Sequence, residues 1–157
     1  MVKKTVTYED FNGVERTEDL YFNLNELELT KFAAELPDEF TDSLNDNENI
    51  TDMDKAEAVA VKFAEKLGTS GIIDFIEKLI LKAYGVKSED GRSFIKNEKI
   101  TNEFEYSGAY PALVMDLLTN NEEASNFVNK LIPAKLAAKL SNANGSKITQ
   151  LPGSNNN

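Results

Sequence analysis

The stretch Gly71-Ile-Ile-Asp-Phe-Ile-Glu-Lys-Leu-Ile-Leu-Lys-Ala-Tyr84 constrains the fold of this chain most. Apolar residues stand at 72, 73, 75, 76, 79, 80, 81, 83 and 84. Wound at about 3.6 residues per turn, Asp74, Lys78 and Lys82 fall into one narrow polar stripe, with Glu77 beside it. A helix that greasy must be wrapped by neighbours on most sides, so the spacing predicts a central core helix. Ser70 is placed to cap its start. Gly85 is placed to close its end in a left-handed conformation. Nothing on it has a catalytic pattern.

A core helix needs a core, and 157 residues with 41% hydrophobic side chains make about one domain. No apolar run approaches the roughly 20 residues of a membrane span. The opening residues, Met1 to Tyr8, lack the apolar centre of a signal peptide, so the expected location is the cytoplasm. The chain has neither cysteine nor histidine. Their absence excludes disulfides, thiol nucleophiles and cysteine-ligated zinc, and removes the usual acid–base group near neutral pH. No catalytic residue, cofactor or metal site is therefore expected. A formal net charge of −10 disfavours nucleic acid and anionic membranes as partners. Of the 17 basic residues, only Lys130, Lys135, Lys139 and Lys147 follow the last acid, Glu123, leaving 13 against 27 acids before it. The result is an acidic body with a basic end.

Residues 3–24 read as a β-hairpin, with Thr5-Val6-Thr7-Tyr8 and Leu20-Tyr21-Phe22 as β-formers around Asn12-Gly13. A two-residue Asn-Gly turn would put Val6 and Tyr8 on the face opposite Leu20 and Phe22. Slipping the register by one residue gathers Val2, Val6, Tyr8, Leu20, Phe22 and Leu24 on one face. The expected connection is thus a three-residue loop, Phe11-Asn12-Gly13, with Gly13 left-handed in a bulge. Two strands alone are marginal, so the hairpin must pack on helices or on another subunit's strands. Its open edge is an assembly surface.

Asn25-Glu-Leu-Glu28 is a capping box flanked by Leu24 and Leu29, opening a helix over 26–35 that stops before Pro37. Residues 38–44 read as a short helical piece and 45–49 as an acidic loop. That loop does not fit an EF-hand: counted from Asn45, Ile50 stands where glycine is needed and Ala56 where the bidentate Glu is needed. Thr51 caps a helix over 52–67, with Met53, Ala56, Val59, Ala60, Phe63, Ala64 and Leu67 on one side; Gly68 to Gly71 then turns into the central helix. Further on, Ser88 to Gly91 is a tight turn and Arg92 to Lys96 a brief extended piece. Thr101 is expected to cap a helix over 102–106, Ser107 one over 109–118, and Asn120 a third. Pro133 interrupts that last helix before a basic piece over 134–140. The predicted class is α+β: an N-terminal β-hairpin on a mostly helical bundle of five or six helices. Residues 1–140 form a single domain, and 141–157, polar and free of aromatics, a disordered tail.

Three stretches together resemble a known family. They are Lys4 to Leu24 (Lys-Thr-Val-Thr-Tyr-Glu-Asp-Phe-Asn-Gly-Val-Glu-Arg-Thr-Glu-Asp-Leu-Tyr-Phe-Asn-Leu), Leu81 to Ile95, and Ala109 through Met115-Asp-Leu-Leu to Phe127-Val-Asn-Lys-Leu-Ile-Pro133. Their order and spacing are similar to tail assembly chaperones of long-tailed, siphovirus-type bacteriophages that infect Gram-positive bacteria. The resemblance implies a non-enzymatic protein that binds the long, helix-rich tape measure protein and keeps it soluble. It also implies recruitment of tail tube protein, in many relatives through a frameshifted extended form, and absence from the mature virion. A homo-oligomer fits such a role. The contact residues nominated from the chain itself are the strand Thr5, Val6, Thr7, Tyr8 and the basic Lys130, Lys135 and Lys139. Other classes are a minor structural tail or connector protein, an acidic mimic of DNA, and an enzyme resting on carboxylates such as Glu103 and Glu105. The apolar stripes and basic end break the continuous acidic strip that mimicry needs, and no pair of carboxylates is singled out by its spacing.

Overall fold

The computed structural model describes residues 1–35 and 53–132, the side chains of 53–64 and 66 excepted. Strands β1 (Val2–Glu9) and β2 (Glu15–Phe22) pair antiparallel, with Val2 opposite Phe22 and Glu9 opposite Glu15. Their loop has the expected three residues. Asp10 N–H donates to the Val14 carbonyl at 2.8 Å and Gly13, at φ 75°, donates to the Asp10 carbonyl at 2.9 Å. The Asp10 carboxylate fixes the turn from inside, accepting from Asn12 N–H at 2.9 Å, Val14 N–H at 3.0 Å and Arg16 Nε at 2.8 Å. In this register Val2, Val6, Leu20 and Phe22 enter the core together and Tyr8 is half-buried.

Helix α1 (Glu26–Glu35) begins with the capping box: Glu28 N–H donates to Asn25 Oδ1 and Asn25 N–H to Glu28 Oε2, both at 2.9 Å. Such a cap contributes about 1 kcal/mol. Leu24 and Leu29 on either side of it are buried. Helix α2 (Met53–Ala83) takes in both the predicted second helix and the central one. They meet at a single residue, Gly68, whose φ 66° and ψ 175° lie in a region essentially reserved for glycine. Ser70 lies inside the helix, so the predicted four-residue turn with a serine cap is not formed. Phe75, Ile76, Leu79, Ile80 and Ala83 are buried, whereas Asp74, Lys78 and Lys82 are exposed as the periodicity required.

The end of α2 departs from expectation. Gly85 does not close the helix in a left-handed turn; it lies in strand β3 (Tyr84–Lys87). Tyr84 pairs with Phe22 and Gly85 with Tyr21, and β4 (Phe94–Ile95) pairs with Val86 and Lys87. The hairpin thus grows into a four-stranded sheet of order β1-β2-β3-β4. The physical reason is at the helix terminus. Asn23 N–H donates to the Ala83 carbonyl at 2.8 Å, satisfying from the sheet a group that a left-handed glycine would otherwise serve. The Ser88 to Gly91 turn is as predicted, with Gly91 at φ 70°.

Helix α3 (Glu98–Glu105) starts four residues before the predicted segment, because Asn97 is a better cap than Thr101: its side chain accepts from Ile100 N–H at 2.9 Å. Helix α4 (Ala109–Thr119) begins at Gly108 without a side-chain cap, and Ser107 instead turns its hydroxyl back to the Phe104 carbonyl at 2.7 Å. Helix α5 (Asn121–Leu131) has the predicted Asn120 cap, accepting from Glu123 N–H at 3.2 Å. Among the described residues there are thus five helices and four strands, an α+β fold that is mostly helical. The pieces read at 38–44, 45–49 and 134–140, the cap at Thr51, the stripe from Met53 to Ala64 and the tail at 141–157 lie outside the described residues and side chains.

Sheet and helices meet at Phe22. Its ring centroid lies 5.2 Å from Phe127, 5.8 Å from Tyr84 and 6.3 Å from Phe104. Tyr84 and Phe104 stack at 4.0 Å, and Phe104 meets Tyr110 edge-on at 5.5 Å. The Tyr110 hydroxyl is held well above the ordinary phenol range, first by burial and then by the negative charge of Glu77 on α2.

Candidate interaction surface

Strand β1 is at one edge of the sheet. In an antiparallel ladder, residues alternate between pointing both backbone groups at the partner strand and pointing both away. Asp10 bonds across to Val14, so Tyr8, Val6, Lys4 and Val2 also face β2. The N–H and C=O groups of Lys3, Thr5, Thr7 and Glu9 therefore face outward, and among the described residues no strand pairs with them.

The side chains divide in the same way. Val6 is buried against the helices, and Tyr8 is half-buried with its hydroxyl on Glu18 at 2.9 Å. Burial first, then that carboxylate, raises the Tyr8 hydroxyl above its ordinary range. Thr5 and Thr7 lie on the open face of the sheet, the first donating to Asp19 Oδ1 at 2.7 Å and the second hydrogen-bonded, hydroxyl to hydroxyl, with Thr17 at 3.0 Å. Of the nominated strand, then, Thr5 and Thr7 offer side chains and edge groups, while Val6 and Tyr8 are turned inward. Lys130 is exposed in the last turn of α5, where a cation is favoured. Lys135 and Lys139 lie outside the described residues.

The sequence did not single out Lys4. It occupies the helix-facing side of β1, 16% exposed, and is paired with Glu123 of α5 and with Asp116 of α4 at 3.7 Å. These pairs clamp the strand to the helices, and among the described residues its outer edge has no partner strand. One helix junction does approach that edge: a side chain on Gly108 would meet the Tyr8 ring at 2.6 Å and the Glu9 carbonyl at 3.0 Å. Phe11 at the hairpin tip, 88% exposed, is a further apolar group, legible as an aromatic residue inside a predicted loop.

Elsewhere, two open grooves of about 370 and 310 Å³ share Leu81, Lys82 and Thr101 between α1, α2 and α3. Their rims mix both signs of charge, and no nucleophile with an adjacent base converges there. Glu103 is exposed beside Lys99 at 3.8 Å, an ordinary helix-surface pair. Among the described residues no cluster of acids is arranged to hold a metal ion, and no helix is long and apolar enough to cross a membrane.

Ion pairs and hydrogen bonds give the surface a defined response to acid. Asp10 is held below the usual carboxylate range by Val14 N–H and Arg16, Asp19 by Lys3 and Thr5, and Glu123 by Lys4. Partial burial alone would raise Glu28, but Lys96 and Asn25 N–H outweigh it and the net shift is downward. Groups lowered by folding stabilise the protein fully above their unfolded pKa, and that stability is lost as pH falls through their folded values. The melting temperature is thus expected to be flat from neutrality to about pH 5 and to fall below about pH 4. Thermal melts from pH 7 to pH 2 check this; a flat profile to pH 2 would mean that these contacts contribute nothing.

A family model described as phage tail assembly chaperone matches residues 1–155. No curated protein and no solved structure matches the chain. The match takes in every strand and helix described above, and the chain belongs to the phage tail assembly chaperone family.

Proposed function

We propose that this chain is a non-enzymatic chaperone of the tape measure protein in a long-tailed phage of a Gram-positive host. It covers apolar faces of that long helical partner in the host cytoplasm, keeps it soluble, helps to recruit tail tube subunits, and is released before the virion is complete. A frameshifted extended form would supply the contact to the tube protein. The observation that carries the reading is the family match across residues 1–155. The architecture is compatible with it: a small acidic α+β domain with amphipathic helices and, among the described residues, an unpaired strand edge suits the covering of a helical partner.

The test is co-expression with the tape measure protein of the same phage, followed by solubility measurement and pull-down. The tape measure protein is expected to become soluble and to co-purify only when this chain is present. Failure of both, with this chain found instead in purified virions, would replace chaperoning by a structural role in the tail.

A further inference from the structure

The outer edge of β1 has the properties of a self-complementary interface. Its outward backbone groups, on Lys3, Thr5, Thr7 and Glu9, belong to residues that are all exposed. The strand is eight residues long and contains no proline, and its ladder with β2 has no bulge, so neither of these two devices interrupts the edge, although Lys3 and Lys4 lie on the strand and Gly108 approaches its Glu9 end. Its charges are arranged about its centre: Lys3 and Lys4 precede Thr5-Val6-Thr7, and Glu9 and Asp10 follow. Antiparallel pairing with an identical strand sets Lys3, which also bridges Asp19 at 2.7 Å, against Glu9 at both ends, while Lys4 and Asp10 keep their partners within the chain. Parallel pairing would set like against like.

We propose that β1 pairs antiparallel with β1 of a second copy about a two-fold axis at Val6, joining two four-stranded sheets into one. In that register Thr5 stands opposite Thr7 of the second copy and exchanges both backbone hydrogen bonds with it, twice by symmetry. Lys3 stands opposite Glu9, and Glu9 N–H reaches the Lys3 carbonyl. The Glu9 carbonyl stays against Gly108, so the bonding is centred on the two threonine pairs. Shifting the axis to Thr5 would still pair the strands but would lose the Lys3–Glu9 match. Charge complementarity thus selects the Val6-centred register.

The test measures the oligomeric state of the full chain and does not depend on the tape measure result. Sedimentation equilibrium over a range of concentrations is expected to show a dimer. Thr7→Pro removes an outward N–H while leaving the β1–β2 ladder intact, and is expected to give a monomer with an unchanged far-UV CD spectrum. Glu9→Lys places like charges opposite each other twice and is expected to weaken association about tenfold; it carries the test if the proline variant does not fold. The chain has no cysteine, so the register is directly readable. Under oxidation, a mixture of Thr5→Cys and Thr7→Cys chains is expected to form a disulfide heterodimer, since hydrogen-bonded partners lie about 5.5 Å apart at Cα. Neither variant alone is expected to cross-link. A wild-type monomer at every concentration, or efficient cross-linking of Thr5→Cys with itself, would overturn the proposal.

Discussion

Phe22→Ala is expected to cost about 3–5 kcal/mol of folding stability, a large part of the roughly 5–15 kcal/mol that a domain of this size possesses. Phe22 has no exposed surface and its ring touches three other aromatic rings. Those rings come from β3, α3 and α5, so truncation leaves a cavity where the sheet meets two helices. Close packing allows only partial collapse around such a void, and the edge-to-face contacts, each worth about 0.5–1.5 kcal/mol beyond burial, are lost with it. Phe11→Ala at the hairpin tip is the matched control. That ring is 88% exposed, and its removal is expected to stay within about 0.5 kcal/mol. Urea denaturation followed by far-UV CD compares the two. Equal midpoints would show that Phe22 is not the hub its geometry indicates.

What the sequence revealed and what it hid divide by the range of the interactions. The capping box at Asn25 and Glu28, the Asn120 cap and the Gly13 and Gly91 turns are settled within three or four residues, and each could be read directly. The hairpin register was legible because a slip of one residue moves every apolar side chain to the wrong face. Strand β3 was not legible, since Tyr84 completes the apolar pattern of a strong helix and Gly85 reads locally as the residue that closes it. Its identity comes from pairing with Tyr21 and Phe22, far away in the chain. The caps at Thr101 and Ser107 failed for a related reason: both residues are acceptable caps, but Asn97 competes more strongly and Gly108 is held against Tyr8.

The surface shows the same division. Alternation along β1 already turns Val6 and Tyr8 inward, so only Thr5 and Thr7 of that strand had side chains to offer a partner. It also places Lys4 among Val2 and Val6, where an ionisable group needs a partner. That partner, Glu123, is 119 residues away and was not readable from the chain alone.

Gly85→Ala is expected to cost about 1–3 kcal/mol and to act on β4 rather than on the backbone of residue 85 itself. Gly85 is not in a left-handed conformation, so alanine meets no dihedral penalty there. A Cβ at this position would instead lie 2.5 Å from the Phe94 ring and 2.8 Å from the Ile95 carbonyl oxygen. A ring can rotate, but a carbonyl in a paired strand moves only with its strand, and β4 is held to β3 by only two residue pairs. Displacing β4 also moves Lys96, whose ammonium bonds the Asn23 carbonyl and Glu28 Oε2 and so fastens the sheet to the start of α1. Gly91→Ala separates the two mechanisms: no atom crowds that site, but φ is 70°, so its cost of about 1 kcal/mol is conformational. Adding Phe94→Ala to each variant distinguishes them in thermal melts. It is expected to recover part of the loss at Gly85, leaving the carbonyl clash, and none of the loss at Gly91. Full recovery at Gly85 would place the whole clash on the ring and leave the β3–β4 pairing free of strain.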